Sequence, residues 1–285
     1  MSNVPSIPDE LKKAFSNNQC AVFIGAGLSV AAGYPTWDKL LINLIKQGSR
    51  KGIIDLKKKN ELMGMVKTPS KWLMVAQEVS DSYGKEPFNI ELANTFDAIS
   101  PIPTTIHKLI TEIPFEFVVT TNYDQLIENA YVLKFGQIPK IYTHVNVPDF
   151  ADALWKREFF ILKAHGDLRN RSTIILTERD YRTIVYSAPG YRALLAAIFT
   201  TKTILFLGVS LGDPELQLLL RSLHDAFQGA GVYHYALVPS SFSATEASHW
   251  RKNYNVHCIV YEPSTGHPEV GKFLRKLRDS TKPKP

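Results

Sequence analysis

Residues 20–37 read CAVFIGAGLSVAAGYPTW. A run of strand length, 20–25, is apolar at every position and breaks into Gly25-Ala26-Gly27-Leu28-Ser29, with a third glycine at Gly33. Unbroken apolarity over so few residues is the pattern of a strand covered on both faces. Five later runs of strand length are mostly apolar rather than alternating: 115–121 (FEFVVTT), 159–164 (FFILKA), 203–208 (TILFLG), 233–238 (YHYALV) and 256–261 (VHCIVY). Between them lie stretches with apolar residues at helical spacing: 37–47 (WDKLLINLIKQ), 124–133 (DQLIENAYVL) and 214–227 (PELQLLLRSLHDAF). Strands alternating with helices predict a doubly wound α/β fold around a parallel sheet.

Two regions depart from the alternation. Residues 51–97 hold helical stretches and no clear strand, and read as a small helical insertion between the first two sheet strands. The core is then 15–50 and 98–275, within one domain of 285 residues. Residues 136–157, interrupted by prolines, read as a long loop or an irregular strand. Residues 172–178 (STIILTE) read as a strand or hairpin leg, and 279–285 as a disordered tail.

A hydrophobic fraction of 45% and a charged fraction of 21% exclude a mostly disordered chain, a collagen-like repeat and a disulfide scaffold. Thirty-three Lys and Arg against 27 Asp and Glu leave +6. That surplus suits an anionic partner, and nucleotide phosphates satisfy it as readily as nucleic acid, or solvent alone. The two cysteines, Cys20 and Cys258, cannot build a four-cysteine zinc site and read as small buried hydrophobes in a reducing compartment. No signal peptide is legible at the start, and no apolar run approaches the ~18 residues of a membrane span. The expectation is a cytoplasmic protein.

Ligands of open α/β sheets bind outside the carboxyl ends of the strands. Four predicted strands end in polar or glycine-rich residues: Gly25 to Ser29, then Thr120-Thr121-Asn122-Tyr123-Asp124, then His165-Gly166-Asp167, then Gly208-Val209-Ser210-Leu211-Gly212-Asp213-Pro214. The four tips are expected to meet at one hollow faced by both Asn122 and His165. Gly25 and Gly27 would let backbone approach a phosphate, and Ser29 would add a hydroxyl. The spacing to Gly33 is not that of the GxGxxG fingerprint, and a glycine required by a tight turn explains the same residues. Asn122 can position a water or a sugar hydroxyl, or serve as a turn residue. Asp124 can bind an amide or ribose, or cap the helix that follows. His165, after a buried strand and before a glycine, is expected in a cleft and suited to acid–base work near neutrality. Asp167 reads as a turn or support residue, Asp213 as a helix N-cap with Pro214 in the first helical position. No metal-ligand spacing is evident.

GAGLS…GYPTW, TTNYD, HGD and GVSLGDP, in this order, resemble the motifs of the sirtuin superfamily, most closely its bacterial NAD-hydrolysing branch of antiphage defence. The resemblance implies a Rossmann-like domain with a small helical module and no zinc module, and NAD as substrate held between the two parts. It places the phosphate loop on Gly25, Ala26, Gly27 and Ser29, and the nicotinamide-side loop on Tyr34, Pro35 and Trp37. It places the Asn-x-Asp on Asn122 and Asp124, the histidine on His165, and the Gly-x-Ser on Gly208 and Ser210. Asn122 and His165 would be catalytic and the others would bind NAD. Thr121 stands where deacylating sirtuins carry Gln, and Thr36-Trp37-Asp38 where they carry Asp-Phe-Arg. These departures favour NAD hydrolysis over NAD-dependent protein deacylation. A third reading is a non-enzymatic nucleotide-sensing subunit of a nucleic-acid-associated complex. The resemblance further implies control by homo-oligomerisation or by a partner, which in related defence systems is a HerA-type ATPase or a short Argonaute.

Overall fold

The computed structural model describes residues 4–100 and 102–281. Its strands are β1 (Cys20–Ile24), β2 (Val118–Thr120), β3 (Lys140–Tyr142), β4 (Phe160–Lys163), β5 (Thr203–Leu207), β6 (His234–Pro239) and β7 (Val256–Tyr261). Its helices are α1 (Asp9–Ser16), α2 (Trp37–Arg50), α3 (Leu56–Met65), α4 (Trp72–Tyr83), α5 (Lys85–Asp97), α6 (Thr105–Glu112) and α7 (Leu126–Phe135), followed by α8 (Val147–Lys156), α9 (Glu178–Ser187), α10 (Pro189–Thr201), α11 (Pro214–Ala226), α12 (Ala244–Tyr254) and α13 (Pro268–Thr281).

The strands form one parallel sheet in the order β3-β4-β2-β1-β5-β6-β7. All five residues of β1 are buried because both faces are covered. Ala21 and Phe23 face a layer that includes Phe150 of α8, Ile184 of α9, Ile198 of α10, Leu220 of α11 and Trp250 of α12. Val22 and Ile24 face Leu11 of α1, Ile110 of α6, Ile127 of α7 and Phe273 of α13. Each such side chain contributes about 1.5–3 kcal/mol of burial. Helices α2 to α5 enclose a third core, in which α2 presents the stripe Leu40, Leu41, Leu44 and Ile45 to Val75 and Val79 of α4 and to Phe88 and Leu92 of α5. The doubly wound α/β architecture expected from the six apolar runs is therefore present, with helices alone between β1 and β2.

Several local expectations need correction. Residues 172–178 form no strand. A short 3-10 turn at Arg171–Thr173 leads into extended chain, and Thr177 with Asp180 makes the capping box of α9. Its isoleucines are apolar because they wedge between cores, not because they pair in the sheet. Residues 136–157 hold edge strand β3 and helix α8, whose Pro148 lies in the first turn, where a missing N–H costs nothing. Residues 279–281 complete α13 rather than a disordered tail, while 282–285 lie outside the described residues. Cys20 is buried, but Cys258, on edge strand β7, is only half-buried. Among the described residues no helix is long and apolar enough to cross a membrane.

The chain leaves β1 toward β2 and later returns to β5 on the opposite side of β1. The order thus reverses between β1 and β5, which opens a crevice at their carboxyl ends.

Candidate active site

The loops after β1 and β5 press backbone against backbone, with the Leu28 side chain also lying against Gly208. A Cβ on Gly25 would lie 2.5 Å from the Gly208 carbonyl oxygen, and one on Gly27 would lie 2.9 Å from the same atom. Gly208 itself is left-handed, with φ 63°, and a Cβ there would meet the Leu28 nitrogen at 2.7 Å. The Gly27 N–H donates to the Gly208 carbonyl at 2.9 Å, and the Gly25 N–H donates to Leu207 at 2.9 Å. The N–H groups of Leu28 and Ser29 turn back to the carbonyls of Gly25 and Ala26. These glycines therefore serve first to let two loops interlock. The outward part of the turn is half-buried Ala26 and exposed Gly27. Ser210 is exposed, and its hydroxyl accepts the Gly212 N–H at 3.3 Å.

Beyond β2 the chain is held against β1. The Thr120 hydroxyl donates to the Ile24 carbonyl at 2.9 Å and accepts the Asn122 N–H at 3.0 Å. The Asn122 amide donates to the Gly25 carbonyl at 3.1 Å and to the Ser29 hydroxyl at 3.0 Å. The Ser29 hydroxyl in turn donates to Asp124 Oδ2 at 2.6 Å, while Asp124 Oδ1 accepts the Leu126 N–H at 3.0 Å. Both donors of the Asn122 amide are spent, and its Oδ1 is buried with no partner among the described residues. An amide oxygen so held accepts a hydrogen bond from a ligand hydroxyl or water. Beneath this loop the wholly buried Lys163 donates to the carbonyls of Tyr123 (3.2 Å) and Asp124 (2.8 Å) and to Glu128 Oε1 (2.8 Å).

Beyond β4, Gly166 has φ 89°, and a Cβ there would lie 2.1 Å from the Thr173 carbonyl oxygen. The His165 carbonyl accepts the Ile175 N–H at 2.9 Å, so the turn lies flat against 173–175. The His165 ring is only 3% exposed. Its Nε2 is 3.2 Å from Asp213 Oδ2 and 3.2 Å from the Tyr181 hydroxyl, which donates to the same carboxylate at 2.7 Å. Asp213 Oδ1 meanwhile accepts the Leu216 N–H at 2.9 Å and caps α11. Burial opposes a charged imidazole, but the Asp213 carboxylate and its hydrogen bond, with Glu215 behind, hold the His165 pKa above its ordinary value. Burial would raise Asp213, yet the charge and hydrogen bond of His165 keep its carboxyl below the usual range. Glu215 has no such partner, and burial pushes it up to about 7. Its Oε1 and the Tyr191 hydroxyl are buried without partners among the described residues. His165, Asp213 and Glu215 each offer one ligand atom within 4.8 Å of the others, a spacing that a metal ion could use.

Residues 116–259, just over half of the chain, match a family model described as a SIR2-like domain. The chain belongs to the SIR2-like family. It is 27% identical over 293 residues to a protein of Bacillus cereus (strain MSX-D12) named NAD(+) hydrolase ThsA, across 98% of this chain and 57% of that protein. It is 28% identical to an Acinetobacter baumannii (strain 532279) protein of the same name, across 80% of this chain and 44% of that one. It is 30% identical to Defense-associated sirtuin 2 of Bacillus subtilis, across 77% of this chain and 20% of that protein. The chain thus spans about half the length of these curated relatives, or less. A crystal structure of a Sir2 homolog–NAD complex aligns over 99% of this chain and 98% of its own, at 12% identity and a TM-score of 0.48.

Within this SIR2-like chain the sequence-derived residues fall into two polar clusters that share no hydrogen bond among the described residues. Asn122, Ser29 and Asp124 form the first, beside the Gly25–Gly27 turn. His165 joins a second, with Tyr181 and Asp213. The cavity that reaches His165 has a volume of about 20 Å³ and is lined by Thr121, Tyr191, Asp213 and Glu215 among others, but not by Asn122. It holds about one water, so His165 is packed rather than poised in an open cleft. Tyr34 is buried with its ring stacked on Phe96, and burial, then the Asp124 charge, lifts its hydroxyl to about 12. Trp37 stacks on Trp72, ring centroids 6.2 Å apart, which ties it to the helical layer, while Pro35 is half-buried. Sequence reasoning missed Tyr181, Lys163, Glu215 and the second role of Asp213. A lysine inside the apolar run FFILKA was a legible signal, since lysine is almost never buried unless paired. Tyr181 and Tyr191 lie on α9 and α10, in a stretch the sequence reading leaves unassigned, and nothing local marks them.

Proposed function

We propose that this chain is an NAD⁺ hydrolase that cleaves the bond between nicotinamide and ribose. The observation that carries the reading is a pair of unspent atoms at neighbouring strand tips. β2 and β4 pair with Thr120 opposite Lys163, so Asn122 and His165 each follow two residues beyond a matched position. Asn122 Oδ1 has no partner, and His165 Nδ1 makes no hydrogen bond among the described residues. The names of the relatives point the same way.

In this reading the C1′–N bond breaks with its electron pair leaving on nicotinamide, which becomes neutral, and C1′ passes through an oxocarbenium-like state. Asn122 Oδ1 orients a ribose hydroxyl or the attacking water. His165 accepts the proton that the water or hydroxyl sheds. Water adds to C1′, and the products are nicotinamide, ADP-ribose and a proton. Asp124 and Ser29 hold Asn122 and contact the ribose or the nicotinamide amide. Gly25, Ala26 and Gly27 with Gly208 and Ser210 border the phosphates, and Tyr34 and Pro35 border the nicotinamide with Trp37 behind them.

The test is nicotinamide release from NAD⁺ by the purified protein. Asn122→Ala and His165→Ala are each expected to abolish release while circular dichroism stays unchanged. Normal turnover in both variants defeats the assignment. Release without peptide separates hydrolysis from deacylation, which would yield deacetylated peptide in step with nicotinamide. A defence role that depletes cytoplasmic NAD, silenced until triggered through self-association or a partner, is the physiological form of the same proposal. NAD loss in infected cells and light scattering of the purified protein address it.

A further inference from the structure

Both groups that face His165 Nε2 present lone pairs to it. Asp213 is a carboxylate, an acceptor only when ionised. Tyr181 could donate, but its single proton is committed to Asp213 Oδ2 at 2.7 Å, so its oxygen can only receive. A neutral imidazole carries one proton, and only Nε2 has acceptors for it. The lone pair therefore belongs to Nδ1, the nitrogen with no hydrogen bond among the described residues.

We propose that Asp213, locked by Tyr181, is the positioning residue of the site: it fixes the Nε2–H tautomer of His165 and thereby makes Nδ1 the proton acceptor. The proposal rests on the hydrolase reading for its catalytic meaning, while the tautomer itself does not. The arrangement is rigid from both ends. Asp213 is held by the Leu216 N–H at the start of α11, and Tyr181 is buried with its ring edge-on to the imidazole, centroids 5.3 Å apart. When Nδ1 takes a proton, the imidazolium already has its counter-charge in contact at Nε2, so no group need reorganise. The other titratable groups near the ring are Glu215 on α11, Tyr191 on α10, which lines the same cavity, and half-buried His144 before α8.

The experiment uses the full chain labelled with ¹⁵N-histidine, with long-range ¹H–¹⁵N correlation spectra recorded across pH, alongside NAD⁺ turnover. Asp213→Asn keeps a side chain that caps helices well, so α11 should persist. In the wild type, neutral His165 is expected as the Nε2–H tautomer. In Asp213→Asn the amide can turn its NH₂ toward Nε2, the tautomer is expected to mix or invert, and the ring should titrate at lower pH. Turnover should fall on the order of 10²-fold or more in kcat, with KM within about threefold, because an orienting carboxylate acts after binding. Asp213→Glu should recover part of the tautomer and part of kcat. Tyr181→Phe frees Oδ2 from its lock without touching the cap, and should shift the titration in a chain that certainly retains the α11 start. An unchanged tautomer and titration in both Asp213→Asn and Tyr181→Phe overturns the proposal. A wild type with the expected tautomer but no NAD⁺ turnover overturns the hydrolase reading and leaves the positioning role standing.

Discussion

Lys163 and Glu128 form an ion pair away from water, 2.8 Å apart with side chains 0% and 6% exposed. The ammonium also takes the carbonyls of Tyr123 and Asp124, so one charge on β4 holds the loop that carries Asn122. Removing one partner of such a pair strands the other, at about 3–5 kcal/mol. Lys163→Met should therefore lower stability by about that amount in urea titrations. Adding Glu128→Leu should restore much of the loss, since the stranded carboxylate is gone. It should not restore NAD⁺ turnover, because the two carbonyls are still unheld.

Gly208→Ala is expected to cost about 1–3 kcal/mol through strain and backbone clash, because the new methyl meets Leu28 in a left-handed conformation. Gly136→Ala, with φ 69° but nothing within 4 Å, should cost about 1 kcal/mol. Thermal melts of the two variants compare them, and equal losses would show that the loop contact does not matter.

Glu215 and His165 both bind protons more tightly folded than unfolded. The stability His165 contributes is fully present below about pH 6.5 and is lost as pH rises through its folded pKa. Glu215, raised from 4.5 to about 7, likewise loses its share as pH climbs between those values. Glu215→Gln should match the wild type near pH 4 and exceed its stability by about 3 kcal/mol at pH 8. Denaturant midpoints at the two pH values check this, and a pH-independent difference would contradict it.

Trp37→Ala removes a stacked ring that belongs to the helical layer. About 1–3 kcal/mol of stability should go with it. KM for NAD⁺ should move less than about threefold if the indole only backs the loop, as the Trp72 contact suggests. A tenfold rise in KM at unchanged stability would make Trp37 a ligand contact instead.

The central strands were legible because they are buried on both faces and so read as largely apolar runs. β3 escaped that logic: at the sheet edge, Lys140 is exposed and only three residues pair. The Ile174–Ile175–Leu176 run misled for the opposite reason, being apolar and extended but unpaired. At the site, residues that sit at strand tips were found, since topology alone directs them there. Tyr181 and Lys163 were not, because each acts through contacts with chain distant in sequence. His165 follows β4 as its apolar run implies, but its surroundings were not legible: helices α9 and α10, which cover it, have no motif that announces a cover. The glycines were ambiguous in sequence, and the Gly208 contact resolves them as interlocking loops first.

Ile174 and Leu176 enter the core of α2 to α5, while Ile175 between them enters the sheet face lined by α8 to α12. Three consecutive residues thus rivet two layers together, with the Tyr123 hydroxyl donating to the Ile175 carbonyl as a washer beneath the head. The helical layer is consequently no detachable cassette. Grafting it onto another sheet, or trimming it away, would turn two of these apolar side chains out into solvent and loosen the strip that braces the imidazole.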